Sequence, residues 1–270
     1  MIAALPVLLA LIAFCLYILY DRWREKTLRE RPFPEPWRII LEDRLPVYGA
    51  LSVDEQRRLQ QLITVFIAKK KFYGCAGLVV TDEMRIMIAA EACLLLLNKK
   101  GAVYSKLKAI LVYPTAFKVD RERHLADGTV ASGTQGMLGE SWGNGRVILS
   151  WDDVEKGARD FSDGHNVVLH EFAHQLDAES GSTNGAPPLR RNSYGVWARV
   201  FSENFEDLGA RSINGLTTVM DDYGTTNPAE FFAVATETFF EKPHQLSKHR
   251  PELYEQLKIY YQLDPTSWQD

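Results

Sequence analysis

The sequence predicts an α+β fold, mainly helical with a small sheet, behind an N-terminal transmembrane helix. Three observations carry that prediction. Apolar residues recur at helical spacing in long segments, among them residues 57–72 and 82–97. Runs rich in β-formers are few and short, at AILVYPTAF (109–117) and around Val147–Leu149. The chain opens with MIAALPVLLALIAFCLYILY, which holds no charged side chain.

A helix from Ile2 to Tyr20 would rise about 29 Å, close to the hydrocarbon thickness of a bilayer. A cleaved signal peptide is the main rival, but the leader lacks a basic start and no small-x-small cleavage site follows it. A buried core helix is the third reading, and nothing polar interrupts the segment to favour it. Next comes DRWREKTLRERP, with Arg22, Arg24, Lys26, Arg29 and Arg31 just past the apolar end. The excess of basic residues puts that flank and the rest of the chain in the cytoplasm, with Tyr17, Tyr20 and Trp23 as interfacial anchors. PFPEPW (32–37) reads as an extended linker, because proline is excluded from helix interiors. The expected division is therefore a transmembrane anchor over 1–20, a basic and Pro-rich linker over 21–36, and one domain over 37–270.

Within that domain, Ser52 and Glu55 form a capping-box pattern before a helix. Gly74 and Gly77 punctuate the chain after that helix. Thr81 or Asp82 caps TDEMRIMIAAEACLLLLN, whose apolar body predicts a central helix. The strand at 109–117 ends at Pro114. Asn144-Gly145 between apolar flanks is a hairpin signal, and Val147–Leu149 is the strand after it. From there the pattern is mainly helical, down to ELYEQLKIYYQL.

A formal net charge of -4 gives no electrostatic case for direct nucleic-acid binding. Lys69-Lys70-Lys71 and Lys99-Lys100 are bounded by apolar residues and read as solvated helix ends. Cys15, Cys75 and Cys93 are too few and too scattered for a disulfide framework or a zinc knuckle, so a reducing compartment is the simpler reading.

The chemistry concentrates in HNVVLHEFAHQLD (165–177). His170 and His174 lie one helical turn apart, so both imidazoles project from the same side. Each can offer a neutral nitrogen to zinc, and Glu171 stands about 100° round the helix, placed to act as a base on water. This is the H-E-x-x-H pattern on a predicted helix. The bland alternative is a core histidine pair satisfied by backbone carbonyls. Zinc needs a third protein ligand, and ESGSTNGAPP excludes a third histidine a short step after His174. His124, His165, His244 and His249 lie near turn or proline signals and read as surface residues. In DDYGTTNPAEFFAVATETFFEKP, Asn227 can cap a helix with Pro228 in its first position. Glu230 then falls in the first turn, where it reads equally as ligand or as cap partner. Glu237, seven residues on, returns to nearly the same face and competes with it. Spacing does not separate the two carboxylates.

HEFAHQLD, SWGNGRVILSW and above all YGTTNPAEFFAVATETFFE resemble the Mlc titration factor A family of bacterial zinc metallopeptidases. The likeness runs from about Trp37 onward, and the site motifs also resemble the catalytic domain of anthrax lethal factor. The resemblance implies a zincin-like domain with Zn²⁺ held by His170, His174 and Glu230. It implies Glu171 as general base and Tyr223 as donor to the oxyanion. Glu237, and at lower weight Asp177, then become partners for a zinc histidine or plain polar helix residues. It further implies an aminopeptidase-like activity on peptide or protein substrates, and binding of a glucose-responsive transcriptional repressor. Family members are soluble, whereas this chain carries a membrane-length leader. The expected location is the bacterial inner membrane, single-pass, with the domain cytoplasmic. The rival functions are a repressor-sequestering protein with a structural zinc, and a zinc hydrolase acting on a non-peptide amide.

Overall fold

A computed structural model of the chain describes residues 4–99, 101–115, 121–124, 130–133 and 145–268. Helix starts follow the local capping chemistry. Helix α1 (Ala4–Arg29) runs without a break past Tyr20. Helix α2 (Glu35–Arg44) starts inside the proline-rich stretch expected to be extended: Pro34 is its N-cap and Pro36 sits in its first turn. The first N–H groups of a helix have no intrahelical partner, so a proline there costs nothing. After the short α3 (Pro46–Ala50) comes α4 (Val53–Lys69), opened by the expected capping box. There Ser52 Oγ accepts from Glu55 N (3.3 Å) and Glu55 Oε2 accepts from Ser52 N (2.9 Å).

Helix α5 (Asp82–Leu94), capped by Thr81, is buried at every position from Ile86 to Leu94 and forms the centre of the core. Strands β1 (Lys71–Gly74), β2 (Ala109–Tyr113) and β5 (Arg146–Ser150) form a parallel sheet in the order β1-β2-β5. Lys71 aligns with Ala109, and Ala109 with Arg146. Ile110, Val112, Val147 and Leu149 point into the core, while Lys71, Tyr73 and Arg146 occupy the alternate, outward positions. Strands β3 (Arg121–His124) and β4 (Val130–Gly133) pair antiparallel as a separate ribbon. The first arm of the hairpin expected at Asn144-Gly145 lies outside the described residues. Its second arm is β5, and the segment from 114 to 145 supplies the long connection that a parallel β2–β5 pair requires.

Helices dominate the rest: α6 (Trp151–Arg159), α7 (Val167–Ala178), α8 (Tyr194–Ile213), a 3-10 turn at Asp222–Thr225, α9 (Pro228–Glu241), α10 (Pro243–His249) and α11 (Pro251–Tyr261). Helices α7 and α9 pack on each other, and α7 also meets α5 and β5. Trp197 of α8 stacks on Phe201 at 3.9 Å between centroids and meets Phe232 of α9 edge-on, which fixes α8 against α9.

The structure does not support the expectation of a transmembrane helix. Among the described residues no helix is long and apolar enough to cross a membrane. Beyond Tyr20 the helix is charged and packs on α4: Leu28 is buried, and Lys69 Nζ lies 2.9 Å from both Asp21 and Glu25.

Candidate metal centre

Two capped helices build the site. Asn166 caps α7, its Oδ1 accepting from the backbone N–H of Val168 (3.1 Å) and Leu169 (2.9 Å). Val168, Leu169, Phe172, Ala173 and Leu176 bury the helix, which leaves His170 and His174 one turn apart on the side facing α9. Asn227 caps α9 in the same way, accepting from Ala229 N (2.9 Å) and Glu230 N (3.1 Å). With Pro228 fixing its first turn, α9 presents Glu230 to the two histidines.

Three donor atoms converge. Glu230 Oε2 lies 3.0 Å from His170 Nε2 and 3.2 Å from His174 Nε2, and the two Nε2 atoms are 3.2 Å apart. Among the described residues, His170, His174 and Glu230 are the group able to hold a metal ion. Tetrahedral zinc with ligands at ~2.0–2.1 Å sets its donor atoms roughly 3.3 Å apart, so the residues present fit that ion. Two imidazole nitrogens and one carboxylate oxygen are also a donor set that zinc favours.

Glu237 takes a different part. Its Oε1 is 2.7 Å from His170 Nδ1, and its Oε2 accepts from the backbone N–H of Asn166 (2.6 Å). A proton on Nδ1, held by this carboxylate, makes Nε2, turned toward Glu230, the nitrogen that would lose its proton to a metal. The two glutamates that spacing left open are therefore separated by which edge of His170 they meet.

The electrostatics suit a cation. Burial would raise the pKa of Glu230, but its bonds to His170 and His174 outweigh that and lower it to about 2. Burial pulls His174 down to about 4, against its contact with Glu230 and aided by charge on His170. Both shifts leave the metal-binding forms populated at neutral pH. Burial also opposes charge on His170, yet Glu237, Glu230 and Glu171 together hold its pKa well above the imidazole range, so a metal bound there would displace a proton.

Glu171 is fully buried on α7 beside His170. Tyr223 lies in the 3-10 turn before α9, its N–H bonded to Asp221 Oδ1 (2.7 Å) and its ring 5.9 Å from that of His170. Tyr223 is 39% exposed, whereas His174 is wholly buried. His165, His244 and His249 are exposed and outside the group. The side chain of His124 is outside the described residues.

Among the described residues Asp177 meets no histidine nitrogen: its Oδ2 accepts from Gly185 N (2.6 Å) and ties down the loop after α7. Burial lifts its pKa to about 6, against the backbone bonds from Gly185 and its neighbours. Gly185 is a residue that the motifs did not announce. Its φ is +79°, and a Cβ there would sit 2.3 Å from the Pro228 carbonyl oxygen, so the loop presses directly on the start of α9. Trp197 Nε1 donates to Gly185 O at 2.9 Å and closes the contact.

Glu91 of α5 and Glu241 of α9 were also missed. Glu91 Oε2 accepts from Asn166 Nδ2 (2.6 Å), and Glu241 Oε2 accepts from Gly164 N (2.8 Å). Together with Glu237 they anchor the turn that launches α7. Burial pushes Glu91 up to about 8, against its bond to Asn166. Burial, with the charge of Glu237 next, pushes Glu241 up to about 9. The only signal for Glu91 was a lone acid in the apolar run MRIMIAAEACLLLL.

Comparison with known proteins agrees with this chemistry. Residues 20–262 match the family described as glucose-regulated metallo-peptidase M90. An uncharacterized protein of Synechocystis sp. is 45% identical over 97% of this chain and 96% of its own length. Mlc titration factor A from Yersinia pestis and from Yersinia pseudotuberculosis is 31% identical, over 82% of this chain and 82% of each relative. A His-His-Glu cluster on two capped helices and a family match over most of the sequence lead to one conclusion: the chain belongs to the glucose-regulated metallo-peptidase M90 family.

Proposed function

We propose that the chain is a zinc-dependent peptidase, with the metal held by His170, His174 and Glu230. The observation that carries the reading is the convergence of three donor atoms, 3.0–3.2 Å from one another, with Glu237 behind His170. Zinc bound there would act as a Lewis acid on water and on the scissile carbonyl. Glu171 takes the proton from the attacking water and returns it to the leaving amine. The Tyr223 hydroxyl donates to the developing oxyanion from the exposed side of the site. Glu237 holds the Nδ1 proton of His170 and fixes the ring's direction. β5 meets α7 and, among the described residues, pairs on one side only, so its other edge is where an extended peptide would add a strand.

Glu171→Gln tests the mechanism. The variant should keep its metal and its fold while peptide turnover falls by about 10²–10⁴-fold, the usual weight of a general base. Turnover at the wild-type rate would remove Glu171 from the reaction. Free N-terminal peptides compared with N-blocked ones test the aminopeptidase preference.

The relatives' name, Mlc titration factor A, supports a second proposal: this chain also binds a glucose-responsive repressor. If Glu171→Gln binds the repressor as well as wild type does, binding and hydrolysis use separate features. The rival reading, a sequestering protein with a structural zinc, predicts no hydrolysis in any variant. For location we propose the cytoplasmic side of the bacterial inner membrane. Protease added outside intact cells should then leave the domain intact, and digestion would reverse the orientation.

A further inference from the structure

A groove of about 1030 Å³ lies on the far side of the sheet's first rung, where α1 leaves the body. Its walls carry Arg24, Lys69, Lys70, Lys71, Lys108 and Arg146, with Asp21 as the acid among them. In a chain of net charge -4 this is a strong local excess of positive charge. Two of the lysines are committed to the fold: Lys69 pairs with Asp21 and Glu25, and Lys70 donates to the carbonyls of Tyr104 (2.5 Å) and Leu107 (2.8 Å). Lys71, Lys108 and Arg146 are different. They are exposed, and among the described residues no carboxylate pairs with them. Lys71 and Arg146 flank the small Ala109 on one rung, so the Cα atoms of two basic residues stand roughly 10 Å apart.

Tyr17 of α1 closes one end of this groove, and the described apolar side chains around it are uncovered. Leu9, Leu11, Ile12, Phe14, Leu16, Leu19 and Tyr20 are each 47–61% exposed, and Tyr17 and Trp23 more so. Apolar side chains left uncovered along one helix mark a partner. The charge beside it identifies the partner's chemistry: an apolar layer bounded by anions, with tyrosines and a tryptophan at the boundary.

We propose that this end of the molecule lies on an anionic membrane surface, with the apolar part of α1 among the acyl chains. The groove formed by Lys71, Lys108 and Arg146 receives a phospholipid phosphate headgroup of the phosphatidylglycerol type. This site is independent of the metal centre and stands whatever that centre catalyses.

The test is partition of the full chain onto vesicles of phosphatidylcholine alone and of phosphatidylcholine mixed with phosphatidylglycerol. Wild type should favour the mixed vesicles, and added salt should erode that preference. Replacing all three residues (Lys71→Ala, Lys108→Ala, Arg146→Ala) should weaken binding to the mixed vesicles by roughly 100-fold. Binding to neutral vesicles should change little, because α1 is intact. The charge-preserving set Lys71→Arg, Lys108→Arg, Arg146→Lys should keep the preference. On the unmodified chain, hydrogen exchange at Lys71–Gly74 should slow with the mixed vesicles and not with the neutral ones. A wild type blind to phosphatidylglycerol, an alanine variant that keeps the preference, or unaltered exchange in β1 would each overturn the proposal. So would binding to a single-stranded oligonucleotide with none to vesicles.

Discussion

Glu237 offers a test of how the fold holds the metal helix. One carboxylate there makes two contacts: Oε1 to His170 Nδ1 at 2.7 Å and Oε2 to Asn166 N at 2.6 Å. The first orients a proposed ligand, and the second fixes the residue that caps α7. Glu237→Gln keeps the shape and removes the charge. Its amide can still accept from one N–H but not from both, because its other end is a donor. Partners standing behind ligating histidines contribute about 10–100-fold in metal affinity, equivalent to roughly 1.4–2.7 kcal/mol. The buried Asn166 N–H left facing a donor should cost about 1–3 kcal/mol of metal-free stability. Zinc affinity measured by chelator competition, and urea unfolding of the stripped protein, read the two effects separately. Glu230→Ala, which removes a proposed donor to the metal, should lose more affinity than Glu237→Gln. Because one of the two contacts must be lost, a Glu237→Gln variant with both affinity and metal-free stability unchanged refutes the role assigned to Glu237. Equal losses in the two variants would make Glu237 a ligand and undo the division of labour between the carboxylates.

The neighbouring contacts can be tested in the same way. Gly185→Ala forces a Cβ to within 2.3 Å of the Pro228 carbonyl at a positive φ, so the start of α9 must shift. We expect about 1–3 kcal/mol lower stability and weaker zinc binding together, read by urea unfolding and chelator competition. Asn227→Ala removes the cap of α9 and should cost about 1 kcal/mol while disturbing Glu230 more than His174. Glu241 makes the metal-free protein sensitive to pH. Its folded pKa is raised to about 9 from 4.5, so the native state holds a proton that the unfolded chain has released. The associated stability is full below about pH 4.5, declines as pH rises, and is gone above about pH 9. Glu241→Gln should flatten that decline in urea titrations, and an unchanged slope would remove Glu241 as its source.

What could be read from the residues alone was what local chemistry decides. Ser52, Thr81 and Asn227 cap the helices they were expected to cap, because a cap needs only its own next three residues. His170 and His174 share a face because helical pitch dictates it. The choice between Glu230 and Glu237 was a matter of tertiary geometry: both lie on one face of α9, and only the approach of α7 assigns them to different edges of His170. Gly185, Glu91 and Glu241 were illegible for the same reason, since each acts on a segment distant in sequence. The stretch Pro32–Trp37 was misread because proline's penalty was applied to a helix's first turn, where none exists. The leader was read by length and hydropathy, which say nothing of where α1 begins to pack on α4.

The central claim is that one ion joins α7 to α9 through two imidazoles and one carboxylate. Zinc-edge X-ray absorption of the purified chain tests it most directly. The account predicts two histidine nitrogens and light oxygen donors at ~2.0–2.1 Å, with one oxygen lost in Glu230→Ala. A sulfur shell, a zinc environment untouched by that substitution, or a protein that takes up no zinc would contradict it.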